Sequence, residues 1–227
     1  MLRLNFLASL LIGLLFFSGC LETEEPVLSN EGPDFIASFN FDQGPLDWEG
    51  GFSGFAEDAR DTLELGFNFD RAPQNFLLSD SLPRLSGDNP HENLFLFVKR
   101  KITGLDSNKV YKVDFDIEFL AQNLGYGSDT ITSQILGIMK AGAMTEEPVL
   151  QVNNGMVETA FDKGNGLEPG EDLQIIGGIP LPFFQVASEL TRGTTEGINI
   201  EAATNSSGEM WVTVGVESDV YVHQAYY

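Results

Sequence analysis

Between Leu94 and Leu120 the chain reads Leu-Phe-Leu-Phe-Val-Lys-Arg-Lys-Ile-Thr-Gly-Leu-Asp-Ser-Asn-Lys-Val-Tyr-Lys-Val-Asp-Phe-Asp-Ile-Glu-Phe-Leu. Tyr111, Val113, Phe115, Ile117 and Phe119 occupy every second position, and Lys112, Asp114, Asp116 and Glu118 fill the places between. Strand side chains alternate between two faces, whereas a helix repeats every 3.6 residues, so this segment can segregate its apolar side only as β-structure. The run Leu94 to Ile102 is equally rich in β-formers, and Gly104, Asp106, Ser107 and Asn108 between the runs are turn residues. The pattern predicts two strands paired across that turn. One face of the second strand belongs in a core, and the other carries three carboxylates in a row.

The rest of the chain obeys the same grammar. Twenty-four glycines and 18 phenylalanines suit short strands and tight turns. Helical spacing of apolar residues is sustained nowhere beyond the N-terminus. Strands are predicted at Phe35 to Phe41, Asp61 to Asp70, Thr130 to Met144, Leu173 to Ile176, Phe183 to Leu190, Ile198 to Ala202, Met210 to Val216 and Val220 to Tyr226. Ser79 to Asn93 and Asn123 to Asp129 read as loops. So does the glycine-rich stretch from Phe161 to Asp172. About a dozen strands at such spacing predict one all-β domain, a two-sheet antiparallel β-sandwich of jelly-roll type.

The N-terminus has a different character. Arg3 precedes the apolar run Leu4 to Phe17, the layout of a secretory leader and short of the ~20 residues a membrane span needs. The run ends Phe17-Ser18-Gly19-Cys20, and Cys20 is the only cysteine. Small residues before a lone Cys at this distance resemble the lipobox of bacterial lipoproteins. The resemblance implies cleavage before Cys20 and acylation of its thiol and new amino group, with two or three chains giving stable membrane attachment. The expected division is a leader at 1–19, the lipidated Cys20 with an acidic tether at 20–34, and one domain at 35–227. Leu21 departs from the Asp of the enteric inner-membrane retention signal, and Glu22, Glu24 and Glu25 resemble the surface-export signal of some Gram-negative lipoproteins. That resemblance implies an outer-membrane lipoprotein of the cell envelope, exposed at the surface; a plain solvated tether is the alternative reading of the three glutamates. The tether, fully extended, reaches about 45 Å.

Charge excludes some partners. With 34 acidic against 12 basic residues the net charge is −22, a field that repels nucleic acid and anionic head groups. Cations and neutral ligands such as sugars remain compatible with it.

Three resemblances bear on function. Ile102-Thr103-Gly104-Leu105 with Asn108 and Tyr111, and the opening Phe39-Asn40-Phe41-Asp42 with Gly44 and Trp48, resemble galactose-binding-like, carbohydrate-binding-module sandwiches. That likeness implies a non-catalytic module with a glycan partner and a structural Ca²⁺. Asp42 matches the first half of the calcium site, and no acidic residue near Tyr226 matches the second. Segments Leu94 to Leu105, Lys140 to Ala143 and Asp162 to Asp172 resemble a group of uncharacterised secreted bacterial proteins. Asp114-Phe115-Asp116-Ile117-Glu118 resembles the catalytic strand of jelly-roll retaining β-glucanases. There Asp114 would be nucleophile, Asp116 helper and Glu118 acid/base, with the carboxyl groups ~5–5.5 Å apart. The plainer alternative for the ladder is a solvated strand face, and both readings stand.

The candidate ligand-binding residues are Trp48, Tyr126, Lys140, Lys163 and Asp172. Trp48 reads first as core, and becomes a sugar platform if it is exposed beside Tyr126 or Tyr221. Lys140 interrupts an apolar strand, and if buried it demands a carboxylate such as Glu118. The ladder is expected to find Lys140 or Arg100 within salt-bridge reach. His91 and His223 lack metal-ligand spacing, so no cofactor is expected beyond that calcium.

Overall fold

The computed structural model describes residues 37, 39, 46–70, 82–88, 94–123, 135–180, 190–196, 200–218 and 223–226. The leader, Cys20, the tether and Asp42 lie outside these residues, as do His91, Tyr126 and most of the strands predicted at Phe35 to Phe41 and Phe183 to Leu190. Fifteen strands are described, all paired antiparallel: β1 Glu49–Ser53, β2 Phe55–Ala56, β3 Gly66–Asp70, β4 Leu82–Asp88, β5 Phe95–Ile102, β6 Val110–Val113, β7 Asp116–Asn123, β8 Ile135–Met144, β9 Leu150–Asn153, β10 Met156–Thr159, β11 Gln174–Pro180, β12 Leu190–Glu196, β13 Ile200–Ala203, β14 Met210–Glu217 and β15 His223–Tyr226. The one described helix is a 3-10 segment, Glu57–Thr62.

Two five-stranded sheets form the sandwich, in the orders β1-β5-β14-β8-β11 and β12-β7-β15-β4-β3. Their facing sides meet in one core. Leu96, Met139, Ile179 and Val216 come from the first sheet, and Leu85, Phe119 and Ala121 from the second. The chain passes repeatedly from one sheet to the other, so in these two sheets only β3 and β4 are neighbours that follow one another in sequence. The short sheets β2-β10-β9 and β13-β6 flank this body. A second cluster, with Ile102, Ala143, Ile200, Met210 and Val212, carries Trp48, Tyr111, Val113 and Phe115 against it.

The all-β sandwich is as the alternation predicts, and so is the polarity of the Tyr111 to Phe119 segment. Its odd-numbered residues are buried or half-buried, while Lys112, Asp114, Asp116 and Glu118 are exposed. The pairing is not. β5 bonds to β1 and β14, β6 to β13, and β7 to β12 and β15, so the two runs never meet as a hairpin. The intervening turn instead bonds to the loop after β13: Leu105 N–H donates to Gly208 C=O (3.1 Å), and Asn108 N–H to Asn205 C=O (3.1 Å). It carries the chain between sheets. Periodicity decides which face a residue shows and says nothing of which strand lies alongside.

Other boundaries differ too. The loop predicted over Ser79 to Asn93 contains β4, with Pro83 opposite Phe69. Pairing with β15 begins only at Leu85, so among the described residues Pro83 has a strand neighbour on one side alone, where a missing N–H is tolerated. The strand predicted from Asp61 starts at Gly66, after the 3-10 segment. Leu63 is nonetheless buried in the core.

Candidate functional site

The outer face of the first sheet, turned away from the sandwich core, is laid out in cross-strand rows. Ser53, Phe95 and Glu217 form one, and Gly51, Phe97, Gly215 and Lys140 the next. A Cβ on Gly51 or Gly215 would lie 2.2 or 2.5 Å from the rings of Phe97 and Phe95, so these glycines are what lets the stacked pair lie on the sheet. Phe161 meets Phe97 edge-on at 5.6 Å, and with Leu173 it covers the pair.

Phe161 opens the glycine-rich loop, which is tied internally. Asp162 Oδ1 accepts from Gly164 N–H and Oδ2 from Glu171 N–H, both at 2.9 Å, while Asp172 Oδ2 accepts from Asp162 N–H at 2.7 Å. These two backbone donors hold the Asp162 carboxyl below the usual carboxylate value, with a smaller contribution from Lys140 and Lys163. Gly164 has φ +69°, and a Cβ there would sit 2.2 Å from Glu168 O. Only glycine fits.

Beneath the loop lies a buried charge cluster. Lys140 and Glu217 are diagonal neighbours on β8 and β14, within reach of long side chains. Lys140 Nζ, fully buried, lies 2.6 Å from Glu217 Oε2. It also donates to the carbonyls of Lys163 (3.0 Å) and Glu168 (3.3 Å), so its three donors meet three acceptors. Glu217 Oε2 accepts in addition from Gly166 N–H (3.0 Å), and Oε1 takes Lys163 Nζ. Lys163 stands over the Phe95 ring, 5.4 Å from its centroid. The cluster therefore fastens the loop to the sheet through both backbone and side chains. It leaves no buried charge unpaired, the condition under which such charges are tolerated.

Between this loop and β10 is a cavity of about 380 Å³. Its walls include Phe161, Asp162 and Asn165 of the loop, Glu158 and Thr159 of β10, and Ser53 of β1. Ser53 is fully buried, and its hydroxyl has no hydrogen-bond partner among the described residues. Of the charged groups that line it, Glu217 and Lys163 pair with each other, while Glu158 accepts from the Asn153 amide and Asp162 from backbone N–H groups. What it offers a ligand is an aromatic side chain, Phe161, among polar groups that donate and accept hydrogen bonds.

Lys140, Lys163 and Asp172, drawn from separate stretches of sequence, thus meet at one place. Leu94 to Leu105, Lys140 to Ala143 and Asp162 to Asp172 converge there as well. Trp48 lies elsewhere, half-buried in the second cluster with its ring edge-on to Phe39 at 5.3 Å. Lys140 does not pair with the acidic ladder, and neither does Arg100. Lys140 belongs to Glu217 in the first sheet, and Arg100 donates to Leu46 C=O with its guanidinium 4.4 Å from the Phe39 centroid. Asp116 and Glu118 are on β7 of the opposite sheet, and Asp114 is in the break between β6 and β7. All three are exposed and none lines the cavity. Lys112 stands opposite Glu201 on β13.

Sequence reading missed Glu217, Asp162 and Ser53. For Glu217 a signal existed: it is a carboxylate closing the otherwise uncharged strand Met-Trp-Val-Thr-Val-Gly-Val. Among the described residues no group of three or more His, Cys, Asp or Glu is arranged to hold a metal ion.

No family profile and no curated protein matches this chain. Among solved structures it is similar to the enzymatically active domain of tailspike protein 4 of bacteriophage CBA120, with 9% identity over 85% of this chain and a TM-score of 0.37. It spans only 20% of that chain. It is also similar to TmCBM61, solved in complex with β-1,4-galactotriose, with 10% identity, 83% of this chain and 92% of that one covered, and a TM-score of 0.35.

Proposed function

We propose that this chain is a lipid-anchored module of the bacterial cell envelope that binds a neutral carbohydrate in the cavity between the glycine-rich loop and β10. The observation that carries this reading is the cavity's lining, where Phe161 stands among Asp162, Asn165, Glu158 and Thr159. Sugars present hydroxyls for such donors and acceptors and a C–H face for an aromatic group, which is the usual make-up of a small-molecule site. The lysines near the cavity are already engaged by Glu217, and a net charge of −22 disfavours polyanions. A neutral glycan suits both facts. The anchor is supported by the leader-like run and Cys20.

The test is binding of the full chain, in detergent, to an array of neutral β-linked galactans, glucans and mannans. Asn165→Ala is expected to weaken binding about tenfold, the worth of one good hydrogen bond. Asp114→Asn, remote from the cavity, is expected to leave it unchanged. Release of reducing ends from a β-glucan, lost in Asp114→Asn or Glu118→Gln, would replace this reading with the glucanase one.

A further inference from the structure

β9 and β10 form a hairpin closed by Asn154 and Gly155, with φ +50° and +79°. Positive φ at both central residues is the two-residue turn whose twist matches paired strands. In such a hairpin the residues flanking the turn, Asn153 and Met156, exchange hydrogen bonds, and every second pair after them does likewise. Ala160 N–H donating to Val149 C=O at 2.9 Å continues this series. Val149, Gln151 and Asn153 therefore direct their backbone groups inward to β10. Leu150 and Val152 direct theirs outward, where β9 has no neighbour among the described strands.

The side chains on this edge are exposed apolar groups: Val149 by 46%, Leu150 by 37%, Val152 by 54% and Met156 by 36%. Exposed edges are normally guarded by charge, proline or a bulge. From Val149 to Met156 there is none of these: no charged residue, no proline and an unbroken register with β10, in a chain of net charge −22. Two such chains repel each other over most of their surfaces and least where neither brings a charge.

We infer that β9 is a self-association edge that pairs antiparallel with β9 of a second copy. The strand is complementary to itself. A two-fold axis at Gln151 sets Leu150 against Val152 of the second copy, and Val152 against its Leu150. All four outward-facing residues then meet as hydrogen-bonded pairs. Gln151 meets Gln151 in a non-hydrogen-bonded pair, where Cα atoms are ~4.5 Å apart and a disulfide can form. The two three-stranded sheets become one of six strands, with a cavity on either side. So small a contact belongs with transient associations, and trapping is the right readout.

The experiment uses the full chain carrying Gln151→Cys, mildly oxidised and compared with the unsubstituted chain. A disulfide-linked homodimer is expected from Gln151→Cys. Several-fold less is expected from Asn153→Cys, whose counterpart in this register is Val149. Adding Val152→Pro to Gln151→Cys removes an outward N–H without touching the β10 pairing and should abolish the dimer, with an unchanged circular dichroism spectrum confirming the fold. Equal cross-linking at 151 and 153, a Gln151→Cys chain that stays monomeric, or its capture of a different protein would each overturn the proposal. None of these outcomes depends on glycan binding.

Discussion

Lys140 is sealed from water, so the identity of its partners decides what it contributes. Glu217→Gln would leave its ammonium buried without a counter-charge, and is expected to cost about 3–5 kcal/mol. Lys140→Met removes the buried cation while Glu217 keeps Lys163 and Gly166 N–H. The loss then falls on two carbonyls, about 1–3 kcal/mol. Urea denaturation of the two variants checks this order, and equal costs would mean that Lys163 does not hold Glu217. Asp162 gives a pH test. Its carboxyl lies below the ordinary 3.8 because Glu171 N–H and Gly164 N–H bind the ionised form. A depressed folded pKa contributes stability that is fully present above the unfolded value and is lost as pH falls through the folded one. The stability gap between the wild type and Asp162→Asn should therefore hold at neutral pH and close below about pH 4. A gap that persists in acid would contradict it. Lys140 was conspicuous in sequence because a cation interrupts an apolar strand. Its partner was not, since Glu118 lies nearer along the chain than Glu217 and sequence distance says nothing of which strand is the neighbour.

The glycine-rich loop and the β9–β10 hairpin both depend on glycine, for different reasons. A Cβ on Gly142 of β8 would lie 2.0 Å from Asp172 O and 2.5 Å from a Leu173 methyl. Gly142→Ala must therefore displace the loop, at about 1–3 kcal/mol and with loss of the cavity's shape. Gly155, at φ +79°, has nothing within 4 Å of such a Cβ, so Gly155→Ala carries only the backbone penalty of about 1 kcal/mol. Thermal unfolding together with ligand binding separates the two: Gly142→Ala should lose both, and Gly155→Ala a little stability alone. The hairpin went unread, although Asn-Gly between Gln-Val-Asn and Met-Val-Glu is a strong local turn signal. β4 was obscured by Pro83 and by the polar residues around it. That β5 and β6 do not pair could not be read at all, since the seven-residue connection between them permits a hairpin or a crossing equally well.

Anchoring is a property of the whole molecule and can be tested there. Cys20→Ser is expected to move the chain from the membrane fraction to the soluble one, and unchanged fractionation would end the lipoprotein reading. What the sequence by itself determined is the class of fold and the polarity of its strands. Alternation from Tyr111 to Phe119 is a local property, set by bond geometry, and it survives in the folded chain as an apolar side turned inward and an acidic side exposed. The choice of neighbours was decided only in three dimensions. Lys140, Lys163 and Glu217, 77 residues apart from first to last, meet because β8 and β14 pair and a loop folds over them. That meeting depends on which sheet each strand joins. Sheet membership is set by the burial of both faces and by hydrogen bonds among distant loops, a balance struck over the whole chain and written in no single segment.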